Sequence, residues 1–274
     1  MDGRTDRKPD ATQEGGLTLG GSPLAVTTAR DGRVLRLTLD CPKPNLIDMA
    51  MADAIRAALA AHHEQPELMA VLLDHNGDHF SYGASIPEHL PETCADMLRG
   101  MHACINAMVA FPLPILVAVR GWCLGGGLEI ASAGTLIFAA PDAHLGQPET
   151  KLAVFAPAAS VLLPERIGQA QADALLLSGE TIDAESARAL GLVHAIAGDP
   201  AEAALGWFDK NLADKSAIAI RAATRAARHG YVERVAEKLQ WVEDFYMKDL
   251  MAHEDPIEGL RAFMEKRPPI WRDR

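Results

Sequence analysis

The sequence predicts an α/β protein. Strand-length apolar runs alternate with alanine-rich helical stretches through the first two thirds, and a run of three glycines joins a strand signal to a helix signal near the middle. After about residue 157 helical periodicity takes over almost alone. At 274 residues and 49% hydrophobic, the chain can bury one substantial core with a small appended subdomain.

Residues 1–23 are rich in charge, glycine and polar residues and carry no apolar segment, so they read as a disordered tail. A core is expected over 24–200 and a helical region over 201–274. Residues 34–39 have apolar side chains at 35, 37 and 39, the period of a half-buried strand. Residues 49–63 are alanine-rich, with Ile55 and Leu59 four apart, and read as helix. Residues 70–73 read as a short buried strand. Met97, Met101, Cys104, Ile105 and Met108 are spaced for a helix over 96–109. Strands are expected over 115–119 and 136–140, with a helix over 128–133 between them. Later, only 192–196 has a strand signal, and Val232, Val235, Leu239, Val242, Tyr246 and Leu250 form a long helical stripe free of Gly and Pro.

The segment Gly121-Trp122-Cys123-Leu124-Gly125-Gly126-Gly127-Leu128-Glu129 carries the clearest chemical signal. Consecutive glycines at a strand-to-helix turn leave backbone N–H groups bare, and a helix N-terminus adds partial positive charge. Glu129 places a carboxylate on the first helical turn. Donors beside a carboxylate suit a reaction in which an oxyanion develops while a proton moves. No register of the run supplies Gly-x-Gly-x-x-Gly. Gly121 and Gly126 have phosphate-loop spacing, but Gly127 and Leu128 follow instead of Lys-Ser/Thr. Close strand–helix packing without chemistry is the remaining alternative on the glycines alone.

The net charge of −11 argues against general nucleic-acid binding, and no apolar run approaches membrane-spanning length. Cys41, Cys94, Cys104 and Cys123 lack Cys-x-x-Cys pairing, which favours a reducing, cytoplasmic setting without a zinc knot or disulfide framework. The run Asp74-His75-Asn76-Gly77-Asp78-His79 has no regular ligand spacing and reads as a solvated turn around Asn-Gly. His62, His63 and His89 read as surface residues, and no metal site is expected.

Beyond that turn lies Phe80-Ser81-Tyr82-Gly83-Ala84-Ser85, and after the central strands Gly146-Gln147-Pro148-Glu149. Together with Gly125-Gly126-Gly127-Leu128-Glu129, in this order and spacing, they resemble the crotonase (enoyl-CoA hydratase/isomerase) superfamily from about Leu35 to Lys266. The resemblance implies a crotonase-like spiral of ββα units with a helical C-terminal trimerisation region. It implies that the N–H groups of Ala84 and Gly126 form an oxyanion hole for an acyl-CoA thioester. Two preorganised donors stabilise an enolate-like state more than the neutral ground state. It also implies that Glu129 and Glu149 are the catalytic pair, because hydration needs a base for water and an acid for carbon. Glu149 is expected as the proton donor and Glu129 as the water-activating base. Tyr82, Gly83, Gly125 and Phe155 are expected around the substrate. Phe263 and Lys266, in the terminal Glu258-Gly259…Ala262-Phe263…Lys266 segment, are expected at the CoA end, where relatives touch CoA across a subunit boundary. Lys43 could assist the nucleotide portion.

No cofactor is implied, CoA being part of the substrate, and a homotrimer or homohexamer is expected. Ser85 stands where common hydratases carry an acid, and Ser81-Tyr82 replaces smaller residues. Val154-Phe155-Ala156-Pro157-Ala158-Ala159-Ser160 replaces a glycine-rich segment, which is expected to remove a backbone donor and reshape the pocket wall. These departures, with Pro42-Lys43-Pro44-Asn45, resemble the cyclohexa-1,5-diene-1-carbonyl-CoA hydratases, which add water to a cyclic dienoyl thioester. Open-chain enoyl-CoA hydration or isomerisation is the nearest alternative, and a non-catalytic acyl-CoA- or RNA-binding homologue is the alternative of another class.

Overall fold

The computed structural model describes residues 22–42 and 45–274. The expected tail, up to residue 21, and Lys43 lie outside the described residues. The chain runs β1 (Leu24–Ala29), β2 (Val34–Leu39), α1 (Met49–His62), β3 (Ala70–His75), α2 (Cys94–Ala110), β4 (Ile115–Val119), β5 (Trp122–Leu124) and α3 (Gly126–Ala133). It continues through β6 (Leu136–Ala139), β7 (His144–Gly146), α4 (Pro157–Ile167), α5 (Gln169–Ser178), β8 (Thr181–Asp183), α6 (Ala184–Ala189) and β9 (Ala195–Ile196). The last elements are α7 (Pro200–Asn211), α8 (Ala217–Lys248) and α9 (Glu254–Met264).

One sheet has the order β1-β2-β3-β4-β6-β9, parallel apart from the β1–β2 hairpin. A second has the order β5-β7-β8. From β4 to β7 successive strands alternate between the sheets, β8 stays in the second and β9 returns to the first, so the chain winds as a spiral. This alternation explains what periodicity missed. β5, β7 and β8 have three residues each, too short to show a period. A strand of the other sheet therefore separates β4 from the glycine-rich helix. In the 192–196 stretch, Leu192 and Val193 are buried in the turn after α6, and only Ala195–Ile196 pairs with β6.

β3 and β4 are buried along nearly their whole length between helices, which matches their continuous apolar composition. Asp48 caps α1, its side chain accepting from Met51 N at 2.8 Å. Asp74 is not in a solvated turn: it is buried on β3, accepting from Thr38 Oγ1 at 2.6 Å and pairing with Arg36 at 2.7 Å. His75 and His79 are likewise committed, accepting from the backbone N–H groups of Arg120 and Trp122.

The α8 stripe is buried at Val235, Leu239, Val242 and Tyr246. The first three belong to the same apolar core as the sheet, and α8 packs on α2 and α4. Among the described residues no helix is long and apolar enough to cross a membrane.

Candidate active site

Three segments far apart in sequence converge. The first is Ser81–Ser85, held by parallel bridges between Ser81 and Cys123 and between Ile47 and Ala84. The Gly83 carbonyl accepts from Ile47 N at 2.9 Å, and Gly83 N donates to Ser81 Oγ at 3.1 Å. Backbone groups alternate across an extended segment, so the Ala84 N–H points away from the edge that pairs with Ile47.

The second segment is the β5–α3 turn. Gly125 has φ +49°, a conformation L side chains rarely adopt. Its N–H donates to Gly146 O at 3.0 Å, and Glu129 N closes the first helical turn on Gly125 O. Gly126 is then the first residue of α3, and its N–H has no acceptor within the helix. A Cβ built on Gly126 would lie 3.1 Å from both Ala84 N and Ala84 Cβ. The two candidate oxyanion donors are therefore neighbours, and a side chain at position 126 would crowd Ala84.

The third segment is the 3-10 turn Pro148–Leu152, which follows β7 and carries Glu149. A Cβ on Gly125 would sit 2.6 Å from Glu149 Oε1, so this carboxyl occupies the space the missing side chain leaves. Glu129 lies on the adjoining turn of α3, 5% exposed, and its Oε1 accepts from Ala159 N at 2.9 Å. Burial pushes both carboxyls above the ordinary carboxylate range; at Glu149 the Glu129 charge adds to the effect, so the two titrate as a pair.

The segment that stands where relatives have glycines still offers a donor to Glu129. Pro157 opens α4, where a missing N–H costs nothing, and the Ala159 amide two residues on holds Glu129. Gln147, quoted above only as part of a motif, is 1% exposed, and with its amide turned to donate its nitrogen lies 3.0 Å from both Glu149 oxygens. The far end of α3 is fastened by half-buried Arg166, whose Nε donates to Ser132 O at 2.6 Å and whose Nη2 donates to Gly134 O.

Beside Ala84 and Glu129 lies a narrow cavity of about 20 Å³, its walls including Met97, Leu98, Met101, His89, His102 and Pro157. His89 is thus not a surface residue: it is half-buried, its Nδ1 lies 2.9 Å from Ser85 O, and burial lowers its proton affinity. His102 sits on the buried face of α2 among the methionines. Sequence reasoning passed over it because the methionine stripe explained that face. Tyr246 of the α8 stripe is fully buried, and its hydroxyl has no hydrogen-bond partner among the described residues. Burial raises its proton affinity, and the charges of Cys94, Glu149 and Glu129 add to that.

The remaining expected contacts sit further out. Tyr82 is 45% exposed, its ring against His79 at 5.0 Å. Phe155 is half-buried and meets Tyr246 edge-on at 5.2 Å. Phe263 is 56% exposed and Lys266 is exposed. α9 buries Pro256, Gly259, Leu260 and Ala262 instead, so within one chain Phe263 and Lys266 are not brought to the glutamates.

With this arrangement in view, a family model for enoyl-CoA hydratase/isomerase matches residues 29–274. The chain belongs to the enoyl-CoA hydratase/isomerase family. Its curated relatives include the cyclohexa-1,5-dienecarbonyl-CoA hydratase of Thauera aromatica, 54% identical over 92% of this chain and 98% of that protein. They also include the carnitinyl-CoA dehydratase of Citrobacter koseri, 30% identical over 89% of this chain and 97% of the relative. Among solved structures, an enoyl-CoA hydratase/isomerase from Pseudoalteromonas atlantica superposes with a TM-score of 0.80 at 27% identity, covering 91% of this chain and 100% of that one. As a member of the enoyl-CoA hydratase/isomerase family, the chain has the crotonase fold expected of it.

Proposed function

We propose that this chain is a hydro-lyase that adds water to cyclohexa-1,5-diene-1-carbonyl-CoA, giving 6-hydroxycyclohex-1-ene-1-carbonyl-CoA. The observation that carries the reaction type is the pair of Glu129, buried on α3, and Glu149, packed against Gly125, beside the Ala84 and Gly126 amides. The cyclic acyl group rests on the similarity to the Thauera aromatica hydratase.

Attack of water on the carbon β to the thioester drives charge onto the thioester oxygen, where two fixed amides receive it. The two carboxyls share a proton near neutrality, so one takes a proton from water while the other remains able to give one. Water addition of this kind calls on no redox group or metal; CoA arrives with the substrate. The acidic balance and the buried glutamate pair favour an enzyme over an RNA-binding homologue. A cytoplasmic homotrimer or homohexamer accords with this reading, and the exposed, stacked Trp241 and Phe245 of α8 supply an apolar patch for it.

Purified protein offered crotonyl-CoA and the cyclic dienoyl-CoA side by side tests the assignment. Rapid conversion of the ring substrate is expected; rapid turnover of crotonyl-CoA alone would reject it.

A further inference from the structure

The proposed reaction sets a geometric demand that the glutamate pair meets only in part. Hydroxyl adds to the ring carbon β to the thioester, and the resulting charge spreads from the thioester oxygen along the second double bond. Conjugation with the thioester survives only if the proton lands at the far end of that double bond. On a six-membered ring this carbon lies opposite the one that takes the hydroxyl. For an open-chain enoyl group, by contrast, the proton goes to the adjacent α carbon. The ring asks for a proton-transfer group elsewhere in the acyl cavity.

Such a group is present. His102 is 4% exposed and lines the same cavity as Ala84 and Glu129. Its Nδ1 lies 2.8 Å from Glu243 Oε2, reaching from α2 to the flank of the α8 stripe, while its Nε2 is buried with no hydrogen-bond partner among the described residues. A carboxylate on Nδ1 fixes the tautomer and ring plane and leaves Nε2 as the working nitrogen. Burying an imidazole nitrogen without a partner is costly unless a ligand or substrate completes it.

We propose that His102 Nε2 exchanges the proton at the ring carbon opposite the hydroxyl-bearing one, with Glu243 as its positioning residue. This rests on the ring-hydratase reading above. In hydration the water oxygen bonds to the β carbon and its proton passes to the glutamate pair. The extended enolate then takes a proton from protonated His102 Nε2, and the double bond shifts back into conjugation with the thioester. The pair holds one proton more and His102 one fewer, and solvent exchange restores both. In dehydration, neutral His102 removes the same ring proton.

The titratable groups facing His102 are Glu243 from α8 and, across the cavity, Glu129, Asp48 and His89. Burial of His102 lowers its proton affinity and Glu243 opposes that, so losing the Glu243 charge moves the histidine limb to lower pH.

The test uses the full-length protein, the cyclic dienoyl-CoA in D2O, and NMR of the product. In wild type, deuterium is expected at the ring carbon opposite the one bearing the hydroxyl. H102N is expected to lose roughly 100-fold or more in both hydration and that deuterium incorporation, while binding of unreactive cyclohexanecarbonyl-CoA holds within about threefold of wild type. E243Q is expected to lose about tenfold and to shift the falling alkaline limb of the pH–rate profile to lower pH. H102N with near-wild-type rate and labelling would overturn the proposal. If H102N fails to bind, an unmoved limb in E243Q overturns it. A wild-type protein inert toward the ring substrate would instead bring down the underlying reading.

Discussion

Glu129 and Glu149 each leave water for a setting that solvates a carboxylate poorly, and they do so side by side. Their raised proton affinity couples chemistry to stability. The native state binds more protons than the unfolded chain between the ordinary glutamate pKa and the higher folded value. Their contribution to stability is thus fully present below the unfolded pKa and is lost as pH rises through the folded one. Glutamine keeps the shape and cannot ionise. E149Q is therefore expected to lose roughly 10²–10⁴ in turnover and yet melt at a higher temperature than wild type at pH 8, with the gap closing toward pH 5. Thermal scans across that range check the sign. A variant gap that widens on acidification would show that burial does not govern this carboxyl.

At the scale of elements, the β5–α3 turn is the part with least freedom. Gly125 must hold a positive φ and leave room for the Glu149 carboxyl; Gly126 must let Ala84 approach. G125A is expected to destabilise the fold by roughly 1–3 kcal/mol through strain and to reduce turnover more than 100-fold by displacing Glu149. Urea unfolding and the hydration assay separate the two effects. This turn was readable in the sequence because glycine there has a local cause. The family resemblance marked Ala and Pro in α4 where relatives carry glycines, but a backbone donor belongs to every residue except proline, and it is the Ala159 N–H that holds Glu129.

On the whole molecule, α8 joins the core to the outer face. Its inner stripe buries Val235 and Tyr246, while Trp241 stacks on Phe245 at 5.1 Å on the exposed side and Phe245 lies 5.7 Å from Phe155. A second subunit on this face would press on a ring expected to line the substrate. W241D is expected to convert the proposed homo-oligomer to protomers and to raise KM for the acyl-CoA, with light scattering and steady-state kinetics as the readouts. A wild-type protein already monomeric would remove the interface argument.

The α/β class, the β3 and β4 core strands, the α8 stripe and the candidate segments around Ala84, Gly125–Glu129 and Glu149 were all legible in the sequence. Each is written in local patterns: side-chain period, glycine runs, or a motif whose order survives along the chain. Tertiary contacts were needed to bring Ala84, Glu129, His89 and His102 to one cavity and to make Asp74 a buried ion-pair partner. Burial of a polar side chain is settled by what distant elements bring against it, as α8 brings Glu243 to His102. No periodicity in the chain records that meeting.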